Sequence, residues 1–72
     1  MQTVSGYIEK IIYRNENNGY TVLSVEGDGD DYVFVGTFNY IAEGEFIKAK
    51  GNMNLHPNYG EQLFVDEYEI IE

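Results

Sequence analysis

The stretch RNENNGYTVLSV, residues 14–25, sets four consecutive polar residues and a glycine directly ahead of a β-run. Asn18-Gly19 suits the positive φ of a tight turn, and the Asn15 side chain is of the kind that hydrogen-bonds its own loop backbone. Tyr20–Glu26 then alternates, with Leu23 and Val25 on one side and Tyr20, Val22 and Ser24 on the other, as a half-buried strand does. The stretch reads as a loop feeding a strand, and the rest of the chain repeats that pattern.

Upstream, residues 4–13 (VSGYIEKIIY) form a first run, interrupted by Gly6 as a bulge or sharp bend would interrupt it. Downstream, GDGDD at 27–31 has the Asp and Gly of a tight hairpin. A third run covers 32–38, with Val33 and Val35 alternating against Tyr32, Phe34 and Gly36. Residues 39–44 (NYIAEG) are too few for a proper helix and suit a single turn or compact loop. A fourth run, 45–52, turns Ile47, Ala49 and Gly51 inward and Phe46, Lys48 and Lys50 outward. LHPNYG, 55–60, breaks the pattern with the only proline. The last run, 62–71, carries Leu63 and Val65 on one side, then Tyr68 and Ile70 after a bend at Asp66 and Glu67.

Five short strands with a small insertion between the third and fourth point to an all-β fold, a five-stranded OB-like Greek-key barrel. An SH3-like barrel is the alternative, because periodicity does not fix strand order. A long, Gly-interrupted first strand is what barrel closure needs.

Composition narrows the function. The chain has 72 residues, one domain at most, and strand-like sequence close to both ends reads as a domain cut from a longer chain. It has no cysteine and one histidine, so disulfides are excluded and a metal site is not expected. No apolar run approaches the roughly 20 residues of a membrane span, and a signal peptide is not recognisable, so a soluble, cytoplasmic setting is expected. The net charge of −9, with four basic residues against thirteen acidic ones, opposes nucleic acid as a whole, since Lys and Arg usually supply the phosphate affinity. Any nucleic-acid contact is therefore local.

Three ordered blocks carry a resemblance: GYIEKIIYRNENNGYTVLSVEG, then VFVGTF, then EGEFIKAKGNMNLHPNYGEQLFVDEYEI. Together they resemble the N-terminal OB-like domain of the long RecD-like bacterial DNA helicases, whose catalytic relatives include the exodeoxyribonuclease V alpha subunit. The markers are the loop YRNENNGYTVL, the segment HPNYGEQL and a Val-Val-Gly-like turn at residues 33–36. The family pattern carries basic residues where this chain has Glu61 and Phe64, and a Trp near Met53. The resemblance implies a parent chain with ATP-binding helicase domains, acting in DNA repair or recombination. ATP and Mg belong to those domains; GxxxxGK[ST] is not found here, and no cofactor is expected in this segment. The segment itself is expected to be non-catalytic, with single-stranded DNA or other domains of the parent helicase as partners. An OB-fold subunit of the translation or chaperone machinery is a third, more distant reading.

Candidate contacts fall in three groups, each with a structural alternative. In the 14–19 loop, Arg14 suits phosphate, and Asn15, Asn17 and Asn18 suit sugar or base edges; turn chemistry accounts for the same residue types. In the 55–60 loop, His56, Asn58 and Tyr59 suit base stacking or hydrogen bonding; alternatively Pro57 and Gly60 shape the loop while Tyr59 packs on the barrel. On the face opposite the aliphatic residues, Tyr20, Tyr32, Phe34, Phe46, Lys48, Lys50 and Phe64 suit a stacking platform or, as a bare aromatic patch, a protein contact. The carboxylates at 28, 30 and 31 lack EF-hand spacing, and a nucleophilic triad cannot be assembled.

Overall fold

A strand of 13 residues, Gln2–Arg14 (β1), spans about 40 Å when straight at ~3.3 Å per residue. The molecule is only 27 Å along its longest axis, so β1 must curl. It does so by changing partners at Tyr7. Residues 2–7 pair with Phe46–His56 (β4), and residues 7–14 pair with Tyr20–Glu26 (β2). Gly6 sits at this change, where a Cβ would run into the Glu26 carbonyl. The bend expected at Gly6 is there, but the bulges fall elsewhere, with Glu9 and Ile12 as the extra residues of the β1–β2 register.

Asp31–Thr37 (β3) and Gly60–Ile71 (β5) complete a closed barrel in the order β1-β2-β3-β5-β4. Neighbours are antiparallel except β3 and β5, which run parallel over Val33–Gln62, Phe34–Leu63 and Val35–Phe64. That order resolves the choice left open by periodicity in favour of the OB-like barrel. The computed structural model describes residues 1–27, 29–58 and 60–71, without the side chain of His56.

The interior is aliphatic and aromatic: Ile8, Leu23, Val25, Phe34, Phe38, Ile47, Ala49 and Leu63. Those on strands reach the core through the cross-strand rule that directly opposed residues share a face. Leu23 faces Phe34, Phe34 faces Leu63, and Leu63 faces Met53. This corrects the outward placement of Phe34, which is fully buried. β2 alternates as expected, but β3 registers Phe34, not Val33 or Val35, against inward Leu23. Val33 and Val35 therefore point out of the barrel, and both are still nearly buried, covered by their neighbours. Tyr32 is likewise inward, half-buried against the core at the barrel end.

The Val-Val-Gly turn expected at 33–36 is strand throughout. Phe38 leaves β3 and plugs the barrel, its ring 4.8 Å from that of Tyr68. Residues 39–44 form a compact loop without helix, as its length predicts. β4 and β5 run further than the pattern shows, pairing as far as His56–Gly60. Asp66 is the extra residue where their register shifts, so the predicted bend is real and returns Tyr68 and Ile70 to the inner face. In the β2–β3 hairpin the Gly27 amide donates to the Asp30 carbonyl at 2.8 Å, and Gly29 takes φ +84°. Asp28 lies outside the described residues.

Candidate nucleic-acid interface

The 15–19 loop is held by its own side chains. Asn15 Oδ1 accepts the Asn17 amide and Asn18 Oδ1 accepts the Tyr20 amide, both at 2.9 Å. Gly19 adopts φ +78°, and a Cβ there would meet the Phe38 carbonyl at 2.8 Å. Asn18 itself has no positive φ. Arg14 points into the barrel end, opposite buried Thr21. Its Nη1 donates to Thr21 Oγ1 at 2.8 Å, its Nη2 to the carbonyls of Phe38 and Asn39 at 3.3 and 2.8 Å, and its Nε to Glu16 at 3.1 Å. The guanidinium fork is thus engaged within the domain. The turn reading of this loop matches the geometry, and Arg14 does not present its donors to a phosphate.

The outward candidates divide. Tyr20 and Phe64 lie on one continuous outer face, traced by register: Lys10–Ser24, Tyr13–Val22, Tyr20–Thr37, Val22–Val35, Ser24–Val33, Val35–Phe64, Val33–Gln62, then Phe64–Asn52 and Gln62–Asn54. None of these residues is Asp or Glu, in a chain of net charge −9, although the β2 and β3 columns continue into the paired Glu26 and Asp31. Glu9 borders the face, 3.4 Å from the Ser24 hydroxyl. Three rings stand on it. Tyr13, Tyr20 and Phe64 are 51%, 41% and 41% exposed, and the Tyr13 and Tyr20 rings lie 6.2 Å apart.

Lys48 and Lys50 continue the outward column of β4 below Asn52. Each has a carboxylate directly across on β5, Glu69 and Glu67 respectively. Phe46 lies at the far end of that column, six residues or about 20 Å from Asn52, and its ring packs on Tyr7 instead. Tyr32 and Phe34 belong to the interior. Burial, then the Asp30 and Glu61 carboxylates, push the Tyr32 phenol above its ordinary pKa. Asn58 is exposed in the turn at 57–58; the His56 side chain and Tyr59 lie outside the described residues. Among the described residues, His, Cys, Asp and Glu side chains do not gather in threes as a metal site would need.

Sequence reasoning missed Lys10, Tyr13, Val22, Asn52 and Asn54 as members of this face. The signal was available for Val22, placed with Tyr20 by alternation. Tyr13 joins only because Ile12 is an extra residue, which shifts the β1 register by one.

A five-stranded closed barrel with this order is an OB-fold, and its outer face on β2 and β3, flanked by the loops after β1 and β4, is the one on which OB-folds bind oligonucleotides and oligosaccharides. The chain belongs to the family of the OB-fold domain of the ATP-dependent DNA helicase YrrC, whose pattern it matches over residues 1–72. No curated protein and no solved structure matches it.

Proposed function

We propose that this chain is a non-catalytic accessory domain of a RecD-like ATP-dependent DNA helicase acting in DNA repair and recombination in the cytoplasm. Its work is to guide single-stranded DNA past the helicase domains, which supply the ATP and Mg chemistry. The observation that carries this reading is the stretch of outer face bearing Tyr13, Tyr20 and Phe64, free of carboxylates between its bordering Glu9, Glu26 and Asp31, on an otherwise acidic chain. Stacking contributes about 1–3 kcal/mol per base and tolerates any sequence, which suits a guide. Only Lys10, Lys48 and Lys50 are placed to meet phosphates, so binding is weak and stacking-led.

Fluorescence anisotropy of a labelled single-stranded oligonucleotide tests this. Three phosphate contacts at about 0.7 per contact give a log–log salt slope near −2. Tyr20→Ala with Phe64→Ala should remove binding, and Lys48→Ala with Lys50→Ala should flatten the slope. A second reading, docking against another domain with no DNA contact, is favoured by the Glu67 and Glu69 carboxylates opposite the two lysines. Absence of binding at low salt would establish that reading over the first.

A further inference from the structure

Beside its rings the outer face carries a second kind of chemistry. On β4 and β5 the register sets Asn52 directly across from Phe64, and Asn54 directly across from Gln62. Opposed residues share a face with Cβ atoms about 5 Å apart, and diagonal neighbours stay within reach of long side chains. Three carboxamides therefore stand next to one exposed ring. Asn54 Oδ1 accepts the Leu55 amide at 3.1 Å. The Asn52 and Gln62 side chains make no hydrogen bond among the described residues. Gln62 is only 9% exposed, yet neither of its polar atoms is both sealed from solvent and unpaired. Its stem is held by packing while its amide opens on the surface. Polar groups on this face, left without partners beside a ring that stacks bases, are equipped to read a base edge.

We infer that Asn52 and Gln62 give the face a preference for adenine at the nucleotide stacked on Phe64. The inference rests on the reading of this face as a guide for single-stranded DNA. A carboxamide pairs with adenine through two hydrogen bonds: its oxygen accepts from N6–H and its amino group donates to N7. The other bases call for groups that this part of the face does not offer. Guanine is read by Arg or Lys. Lys10 lies in the row of Gln62 but three strand spacings away, about 14 Å, and Lys50 has Glu67 directly across from it. Cytosine is read by a carboxylate, and Asn52, Asn54, Gln62 and Phe64 include none. The thymine methyl is met by apolar side chains, and the adjoining Val33 and Val35 are only 8% and 7% exposed. Stacking supplies affinity for any sequence, and the carboxamides add a bias at one position. Gln62, already held by its neighbours, gives up little rotamer freedom in doing so.

Fluorescence anisotropy of the chain with three labelled oligomers tests this, each about twelve nucleotides long, within the site size of one OB-fold. One is deoxyadenosine, one is 7-deazadeoxyadenosine, which carries C–H in place of N7, and one is thymidine. The adenine oligomer should bind about fivefold more tightly than its 7-deaza counterpart, the lower end of what one bidentate pair supplies. Equal affinity for those two overturns the inference while leaving the guide reading in place. Asn52→Leu combined with Gln62→Met keeps the side-chain shapes and removes the amides. This variant should lose the difference and keep its affinity for the thymidine oligomer. A difference that persists in it overturns the assignment to these two side chains. The wild-type comparison needs no substitution, so it decides the inference even where the double variant fails to fold. Absence of binding by all three oligomers at low salt removes the guide reading and this inference together.

Discussion

Arg14 gives its guanidinium to Thr21, Phe38, Asn39 and Glu16, and so ties three segments together at one end of the barrel. Arg14→Ala leaves those partly buried acceptors without their donors, at about 1–3 kcal/mol, and Arg14→Lys should recover little, because one ammonium cannot reproduce the fork. A domain of this size has about 4–10 kcal/mol in total, so urea denaturation will resolve the loss. Single-stranded DNA binding by the folded variant should keep its salt slope; a reduced slope would return Arg14 to the phosphate contacts. Tyr32 gives a pH dependence. Its folded pKa is raised, so between the ordinary value and the folded value the unfolded chain releases a proton that the folded chain keeps. Stability therefore falls as pH rises past about 10. Thermal melts of Tyr32→Phe across that range should show a shallower alkaline loss than wild type. At this scale the sequence displayed residue types clearly and destinations poorly: Asn15 and Asn18 read as turn formers and are, whereas nothing local to Arg14 shows that its partners lie at Phe38 and Asn39.

The 39–44 loop shows how elements are joined beyond their ladders. The Gly44 amide donates to the Ile8 carbonyl at 2.7 Å, the Ile8 amide to the Glu45 carbonyl at 2.8 Å, and the Ile11 amide to Glu43 Oε2 at 3.0 Å. The loop thereby covers the edge of β1 beyond its partner change, where the Glu9 and Ile12 irregularities break the β2 ladder. Glu43→Ala should cost about 1 kcal/mol, and hydrogen exchange at the Ile11 amide should quicken by a comparable factor. Unchanged exchange would show that the carboxylate is dispensable there. The β4–β5 pair is tighter still. A Cβ at Gly51 would collide with the Phe64 carbonyl, a backbone atom that cannot rotate away. Gly51→Ala should thus destabilise by about 3 kcal/mol or more, read from the urea midpoint. Gly44, with open space around its Cβ position, offers no such collision and differs only through its φ of +93°. The inward set of β4 and the bend at Asp66 were legible as alternation and its interruption. The extension of β4 to His56 was not, because polar residues near a hairpin tip carry no inward-outward contrast.

At the scale of the molecule, charge acts through distance. With a longest extent of 27 Å, the described carboxylates lie within about the ~30 Å Debye length of 0.01 M salt, while at 0.15 M the range shrinks to ~8 Å. Arg14–Glu16 is the one close ion pair among the described residues. Added salt therefore screens more repulsion than attraction, and the urea midpoint should rise between those salt concentrations. A falling midpoint would mean that cross-strand pairs such as Lys48–Glu69 outweigh the net charge. The sequence by itself determined that the chain is built of strands, where the turns after β1 and β2 lie and which sides of β2 and β4 face inward, and its ordered blocks carried its kinship with a helicase OB domain. The strands, turns and inward sides are written in residues near one another, through period-two alternation and the backbone preferences of Gly, Asn and Asp. Only the tertiary structure decided the strand order, the inward turn of Phe34, the engagement of Arg14 and the gathering of Tyr13, Tyr20 and Phe64 on one face. Alternation divides a strand into two faces without saying which one is inside. That is settled when distant strands pair and the barrel closes, and a single extra residue such as Ile12 moves every later side chain on its strand to the opposite face.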